Sequence, residues 1–340
     1  MGTQSAIDEL LDSACPAIRY RMRRDILEGV GSYDGLRDLQ EHVLGDSQVH
    51  SLFVRQSPDG WLGQPFHRYD SHEAAVRLLA EKGVPPDHPP LAAALCAIED
   101  QGGRIEGELG RVGRVLDERG FGGTCMMRAA TLAHAGLENN DLVREQVQAA
   151  LEGFRAVLEV ESVEAMTERY RGKRVFRHGV RWPGIYHLRL LAYTHSWRGA
   201  DHCTLLTQAV ARLVALSPIP PILVRERSQR IAPAWFAMQD SGPDMAAMDA
   251  PQWMMWFHRR ELLARLGLIW GIPGLARQGS RLAKMLESPS GWFALRLRHE
   301  YFARWGAYTG LMLEHDWKSP WRRQYDPTFR SLLILHNSSG

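Results

Sequence analysis

Residues 57–84, SPDGWLGQPFHRYDSHEAAVRLLAEKGV, contain the pattern that decides the fold of this chain. A turn rich in glycine and proline comes first, with an aromatic residue in it, and an amphipathic helix follows. Ser71 is suited to cap the start of this helix and Gly83 to end it, while Ala75 and Leu79 share its apolar face. The stretch therefore predicts a turn followed by a capped helix.

The same unit recurs along the chain. After the turn VPPDHPP, a second helix, LAAALCAIEDQ, completes a helix pair, and irregular copies of this pair begin at Asp117, Phe176, Asp249 and Ser288. Helix pairs that each expose one apolar stripe bury it by stacking on their neighbours. No segment alternates apolar and polar residues convincingly, as a half-buried strand does. The sequence therefore predicts an all-α chain of about five or six helix pairs.

The turns carry a family resemblance. SPDGWLG, residues 57–63, resembles the Gln/Asp-Gly-Trp turns of the squalene–hopene cyclase and protein-prenyltransferase repeats, and GWF, residues 291–293, is similar to a reduced copy. The resemblance covers roughly residues 50–318. It implies an α/α toroid, in which inner helices ring a central cavity and outer helices pack behind them.

The catalytic motifs of those families are absent from the sequence. There is no Asp-x-Asp-Asp acid for protonating an alkene and no Asp-rich magnesium motif. Asp201, His202 and Cys203 are adjacent and cannot close a tetrahedral zinc site by themselves. Walker, G-x-S-x-G and HExxH patterns are missing as well. We therefore expect no cofactor and no metal.

Composition indicates an ordinary globular chain. Of its 340 residues 45% are hydrophobic and 24% are charged, and no apolar run is long enough to predict a membrane span. The four cysteines form no CxxC pair, which favours a cytoplasmic protein with reduced thiols. We expect N-terminal helices over residues 1–50, the toroid over residues 51–335, and a disordered tail or cloning remnant over residues 336–340.

The most unusual segment is RYRGKRVFRHGVR, residues 169–181. Arginine forks suit phosphates and aromatic rings stack on bases, so this run predicts a cationic collar that binds nucleic acid from a loop or helix end. The alternative is a solvated loop whose charge is balanced by glutamates just upstream. The predicted nucleic-acid contacts are Arg169, Arg171, Lys173, Arg174, Arg177 and Arg181. A second basic set would extend the collar: Arg225, Arg227 and Arg230.

Aromatic residues are abundant in the C-terminal half and predict a pocket wall for a flat ligand, with core packing as the alternative. Tyr301, Trp305 and Tyr308 are spaced to share one helical face. The predicted substrate-binding residues are Trp182, Tyr186, His187, Trp253, Trp256, Tyr301, Trp305 and Tyr308.

Three carboxylates near helix starts are the candidate catalytic groups: Glu73, Asp244 and Asp249. A carboxylate beside such a pocket can act as a general base or stabilise an oxocarbenium-like cation. The alternative role is helix capping. His67, His72 and His187 are possible proton carriers.

A cationic collar, aromatic walls and a carboxylate together meet the needs of an enzyme that flips a base out of DNA. We therefore expect a metal-independent hydrolase acting on DNA, similar to a DNA glycosylase, although a net charge of +2 gives no global attraction to DNA. Two alternatives remain open. One is a terpenoid-cyclase-like enzyme with a small lipophilic substrate, and the other is a non-catalytic binding protein.

Overall fold

The computed structural model describes residues 2–27, 33–63, 65–234, 239–287, 291–315 and 317–338. The chain divides into two units: the first comprises residues 1–97, 248–267 and 277–340, and the second comprises residues 98–247 and 268–276. The predicted domain over residues 51–335 is therefore shared between both units. Helices dominate each unit, which confirms the prediction of an all-α chain.

The described helices follow one another as α1 (Gly2–Ser13), α2 (Pro16–Arg21), α3 (Tyr33–Leu44), α4 (Ser47–Val54), α5 (His72–Lys82), α6 (Pro89–Asp100), α7 (Gly102–Glu118), α8 (Thr124–His134), α9 (Asp141–Leu158), α10 (Ile185–Ala192), α11 (Ala200–Leu216), α12 (Ala250–Arg265), α13 (Pro273–Leu286), α14 (Glu300–Ala303) and α15 (Arg322–Asn337). A π-helical turn, Met22–Ile26, continues α2. The described ranges also contain four short strands: β1 (Thr167–Tyr170), β2 (Lys173–Phe176), β3 (Val224–Glu226) and β4 (Gln229–Ile231). They form two antiparallel hairpins, so the expectation of a chain without strands is wrong there.

The first predicted helix, α5, is confirmed at both ends. The Ser71 hydroxyl accepts a hydrogen bond from the Ala74 amide at 3.3 Å, and Gly83 ends the helix with a φ of +95°. A side chain at Gly83 would also collide with the ring of Tyr20. The helix is buried on nearly all sides rather than on one face only, which the apolar spacing alone did not indicate.

Helix pairs are clearest in the second unit. Helices α8 and α10 are buried almost throughout and pack against each other, whereas α9 and α11 each bury one face and pack together. This division into fully buried and half-buried helices is what stacked helix pairs produce.

The fifth predicted pair is not formed. Helix α14 ends at Ala303, so Tyr301, Trp305 and Tyr308 do not share a helical face, and that prediction is wrong. Gly310 explains part of the departure, because its φ is +91° and a Cβ there would lie 2.7 Å from the Trp305 ring. Residues 304–315 are instead irregular.

The two ends of the chain also differ from expectation. The sequence of residues 1–50 predicts two helices, whereas the described part of this range contains three helices and the start of α4. The predicted tail over residues 336–340 begins inside α15, and residues 339–340 lie outside the described residues. Within the described ranges, no helix has both the length and the apolar character that a membrane span requires.

The first unit has a charged core. Arg21 and Arg330 both bond the Glu81 carboxylate, at 2.6 and 2.8 Å, and Arg330 also bonds Glu261 at 2.6 Å. Burial by itself would lower the pKa of Arg330, but the carboxylates of Glu261 and Glu81 raise it above its usual range. The Arg21 side chain is itself buried in this network and is only 2% exposed.

His187 is buried in the core of the second unit. Its Nδ1 accepts the Gly184 amide hydrogen at 3.0 Å, and a side chain at Gly122 would lie within 2.6 Å of its ring. Burial lowers the pKa of His187 to about 4, because charging the ring would cost its desolvation.

The buried histidine predicts a loss of stability in acid. The unfolded chain takes up the proton near pH 6.5 and the folded chain only near pH 4, so the free energy of unfolding falls as the pH falls between these values. Protonation of this one histidine should lower the free energy of unfolding by roughly 3 kcal/mol between pH 7.5 and pH 4. Urea unfolding of wild type and His187→Gln at both pH values measures the effect. Gln still offers an acceptor to Gly184, and an unchanged pH dependence in the variant would contradict the assignment.

Candidate nucleic-acid interface and catalytic cluster

The cationic collar is built on two β-hairpins of the second unit rather than on a loop or helix end. Strand β1 pairs with β2, and β3 pairs with β4. The hairpins are joined because the Phe176 amide donates to the Leu223 carbonyl at 2.9 Å and the Leu223 amide donates to the Arg174 carbonyl at 3.1 Å. We call residues 167–177 and 224–231 the basic hairpin pair.

A local signal for the first hairpin is present in the sequence. Arg171 and Gly172 form its two-residue turn, and both have positive φ angles of 48° and 75°. A type I′ turn requires this backbone, and glycine after a turn residue is its usual mark. The flanking strands are short and show no clear alternation of apolar residues, because their only buried side chains are Thr167, Val175 and Phe176.

Positive charge is concentrated on this hairpin pair. Its two ranges contain eight Lys or Arg and two Glu, a net charge of +6 in a chain whose total is +2. Arg169 lies directly across from Arg174, and Arg225 lies directly across from Arg230. Like charges at directly opposed positions destabilise a hairpin. An anionic partner at this surface would relieve that repulsion.

Glutamates compensate this charge only in part. Arg174 pairs with Glu164 at 3.2 Å, and Arg225 approaches Glu168 at 3.5 Å. Both pairs are exposed or half-buried, where an ion pair contributes little and water screens it. Arg227 also lies 4.0 Å from Glu226. The alternative of a balanced solvated loop therefore accounts for three of the eight cations, and a surplus of positive charge is left.

Aromatic and arginine contacts organise the surface between the two hairpins. The Arg225 guanidinium lies 4.0 Å from the centre of the Tyr170 ring, and that of Arg171 lies 5.2 Å away. Arg119, at the end of α7, donates to the carbonyls of Arg225 and Arg177 at 2.5 and 3.5 Å. Arg225, which was predicted to extend the collar, thus lies close to the first hairpin. Arg181 lies outside the hairpins and pairs with Glu152 at 3.0 Å.

Most of the predicted pocket aromatics lie in the cores of the units. The Trp253 ring centre lies 5.3 Å from that of Trp256 and 5.2 Å from that of Phe293. These rings pack in the core, which was the alternative to a pocket wall. Five predicted ligand-binding side chains are at most 1% exposed: Trp182, Tyr186, His187, Trp253 and Trp256.

Two of the three candidate carboxylates make local hydrogen bonds at chain turns. Asp249 caps α12, since its carboxylate accepts the Gln252 amide at 2.8 Å and the Gln252 side chain accepts the Asp249 amide in return. Asp244 accepts the amide of Ala246 at 3.0 Å.

The third carboxylate, Glu73, belongs to a chain of hydrogen bonds in the first unit. Its Oε2 lies 2.8 Å from His67 Nδ1, and His67 Nε2 lies 3.1 Å from the Tyr308 hydroxyl. A carboxylate accepts from Nδ1–H, so Nε2 is left as the acceptor of the phenol hydrogen. Glu73 is 1% and His67 19% exposed, so of these two residues the histidine faces outward. We call this the Glu73–His67–Tyr308 cluster.

The cluster opens into a cavity of about 420 Å³. His67 and Tyr308 lie in its wall together with two exposed arginines and an aromatic ring: Arg68, Arg304 and Tyr69. The Arg304 guanidinium stacks 4.0 Å from the Tyr69 ring centre. The cavity therefore presents a hydrogen-bonded hydroxyl and two cations to a ligand.

A buried arginine fixes the loop that carries Tyr308. Arg77 of α5 donates to the carbonyls of Gly306, at 2.8 Å, and of Thr309, and it stacks on the ring of Trp305. The Asp70 amide donates to the Trp305 carbonyl at 3.1 Å and ties the loop to the segment before α5. No sequence pattern indicated this role, because Arg77 occupies an ordinary position in a helical repeat.

Within the part of the chain that the structure describes, no group of three or more His, Cys, Asp or Glu side chains is arranged to hold a metal ion. Comparison with family models, with curated proteins and with solved structures finds no match to this chain. The function is therefore inferred from the residues of this chain alone.

Proposed function

We propose that the chain binds DNA through the basic hairpin pair. The observation that supports this best is the local charge of +6, with arginines opposed across both hairpins, in a chain whose net charge is only +2. Phosphate contacts supply most of the affinity in protein–DNA binding, and arginine forks suit them. A two-stranded ribbon also has the width to enter the major groove.

The proposed activity is metal-independent hydrolysis of an N-glycosidic bond in that DNA, as in a DNA glycosylase. Glu73 is the carboxylate that supports this chemistry best, because it is bonded to a histidine in a cavity wall, whereas Asp244 and Asp249 are bonded to backbone amides. Since the Glu73 side chain is almost fully buried, the proton would pass to His67 while Glu73 holds the ring's tautomer. Abasic sites that still form in the presence of EDTA would support this activity.

A lipophilic substrate is the weaker candidate. Arg68 and Arg304 in the wall of the 420 Å³ cavity would have to lie beside hydrocarbon, which costs their hydration. An anionic ligand suits the same wall.

The toroid is part of the proposal as well. Helices α5, α8, α10 and α12 are the buried members of their pairs and suit the inner ring. Helices α6, α9, α11 and α13 bury one face and suit the outer layer. A crystal structure with a layered or open arrangement of these pairs would overturn the toroid and leave the helix pairs intact.

The test of DNA binding is a titration of labelled duplex and single-stranded DNA, followed by fluorescence anisotropy, between about 50 and 200 mM salt. Engagement of six hairpin cations should give a slope of log affinity against log salt of roughly −5 on duplex DNA. If neither strand type binds at the lowest salt, the proposal fails.

A further inference from the structure

In the Glu73–His67–Tyr308 cluster, the histidine that serves as the base is hydrogen-bonded to a tyrosine hydroxyl. Its oxygen lies 3.1 Å from His67 Nε2, and the other ring nitrogen lies 2.8 Å from Glu73. A hydroxyl, an imidazole and a buried carboxylate in this order form the arrangement by which hydrolases activate an attacking oxygen. A structural histidine could make the same two bonds, but it would not need to place its hydroxyl partner in the wall of a cavity.

We propose that Tyr308 is a catalytic nucleophile and that its site transfers a phosphoryl group from a phosphodiester to the tyrosine hydroxyl. The inference uses the same base as the proposed hydrolase, names the attacking atom, and does not require the basic hairpin pair. It extends the proposed function to a reaction class, phosphoryl transfer, that the glycosylase proposal lacks.

The reaction balances without a metal or a cofactor. The phenol proton passes to His67 Nε2 as the Tyr308 oxygen forms a bond to phosphorus, and the bond from phosphorus to the leaving oxygen breaks. The proton on His67 then passes to the leaving oxygen. Water, with His67 again as the base, then attacks phosphorus in the tyrosyl phosphodiester. The bond from phosphorus to the Tyr308 oxygen breaks, the phosphate monoester leaves, and the proton on His67 returns to the phenol oxygen. Glu73 holds the histidine tautomer throughout and stabilises the imidazolium, which makes it a positioning residue.

The cavity wall explains the choice of a phosphodiester. Arg68 and Arg304 are exposed residues on the same wall as Tyr308, and a guanidinium stabilises the charge that develops on phosphoryl oxygens. A neutral ester would gain less from two such cations. Tyr69 stacks on the Arg304 guanidinium, 4.0 Å from the ring centre, and so helps to hold this cation in the wall.

The reacting groups are also held in place. Tyr308 lies between Gly306 and Thr309, whose carbonyls both accept hydrogen bonds from buried Arg77. The Thr309 hydroxyl donates to the Arg304 carbonyl at 2.7 Å, so the arginine and the tyrosine belong to one fixed loop. Catalytic geometry needs such support, because small misplacements cost large factors in rate.

The experiment uses the full chain and the chromogenic diester bis(4-nitrophenyl) phosphate. We expect release of 4-nitrophenolate above the uncatalysed rate and, in acid-quenched samples, a nitrophenyl phosphate adduct that peptide mass spectrometry places on Tyr308. Tyr308→Phe should remove the adduct and lower the rate by about 10² or more, and His67→Gln should lower the rate by a similar factor.

Tyr193→Phe is the matched control, since it removes the hydroxyl of another half-buried tyrosine, one that does not line this cavity. It should keep the wild-type rate. Circular dichroism checks that each variant folds, and the adduct on wild type gives an answer even if Tyr308→Phe does not fold.

No release and no adduct by the wild type would overturn the inference, as would an adduct on another residue or a full rate in Tyr308→Phe. None of these outcomes depends on DNA binding, so the inference can fail while the hairpin proposal stands, and the reverse holds too.

Discussion

Replacing Arg171, Lys173, Arg174 and Arg177 together with Gln is expected to flatten the slope of log DNA affinity against log salt by about 3 to 4. Each phosphate that the wild type neutralises releases counterions and contributes about −0.9 to this slope, so four lost contacts account for the change. The four side chains are exposed or half-buried on the first hairpin, so the thermal midpoint should stay nearly unchanged. Loss of the Arg174–Glu164 pair is offset by relief of the repulsion between Arg174 and Arg169.

A matched variant separates the surface from the net charge. Replacing four exposed arginines outside the hairpins with Gln removes the same charge: Arg114, Arg144, Arg155 and Arg277. We expect its salt slope to equal that of the wild type. If both variants flatten the slope equally, affinity follows total charge, and the basic hairpin pair is not the binding surface.

A second substitution removes the carboxylate that orients His67. Glu73→Gln is expected to lower the rate of abasic-site formation by about 10² or more, because the amide keeps the size of the side chain and removes the charge that stabilises protonated His67. DNA affinity should be unchanged, since Glu73 lies in the first unit and the hairpins in the second. The rate is read as strand breaks after alkali treatment at saturating DNA, and the loss should appear in kcat with KM unchanged.

Asp244→Asn and Asp249→Asn are the control variants for Glu73→Gln. Asn replaces Asp well as a helix cap and as a turn residue, so both should keep their activity and fold. Full activity in Glu73→Gln together with loss in Asp249→Asn would transfer the role to Asp249. Full activity in all three variants would remove the carboxylates from the mechanism.

The helical part of the fold was readable from local signals. Ser71 and Gly83 mark the ends of α5 because a hydroxyl cap and a left-handed glycine act within one turn of chain. The hairpins were missed, since their strands have only three or four residues and few apolar side chains. The buried charge of Arg21 was missed for another reason: its partner Glu81 is 60 residues away along the chain.

The candidate site was predicted as separate parts. Glu73 was chosen as a carboxylate at a helix start and Tyr308 as a pocket aromatic, and no local pattern connects the two residues. Their connection runs through His67, and Tyr308 and His67 are 241 positions apart. Contacts at such distances are set by how helices stack, which periodicity does not specify. The expected helix over Tyr301 to Tyr308 failed because Gly306 and Gly310 lie against aromatic rings in a bent loop.

Ultraviolet cross-linking of wild-type protein to DNA, followed by mass spectrometry of the attached peptides, identifies the residues that contact DNA. Tyr170 lies among the arginines of the basic hairpin pair and offers an aromatic ring for cross-linking. The account predicts cross-linked peptides from residues 167–177 and 224–231, and predicts that they disappear at high salt. Cross-links that fall elsewhere in the chain, with none in these two ranges, would contradict it.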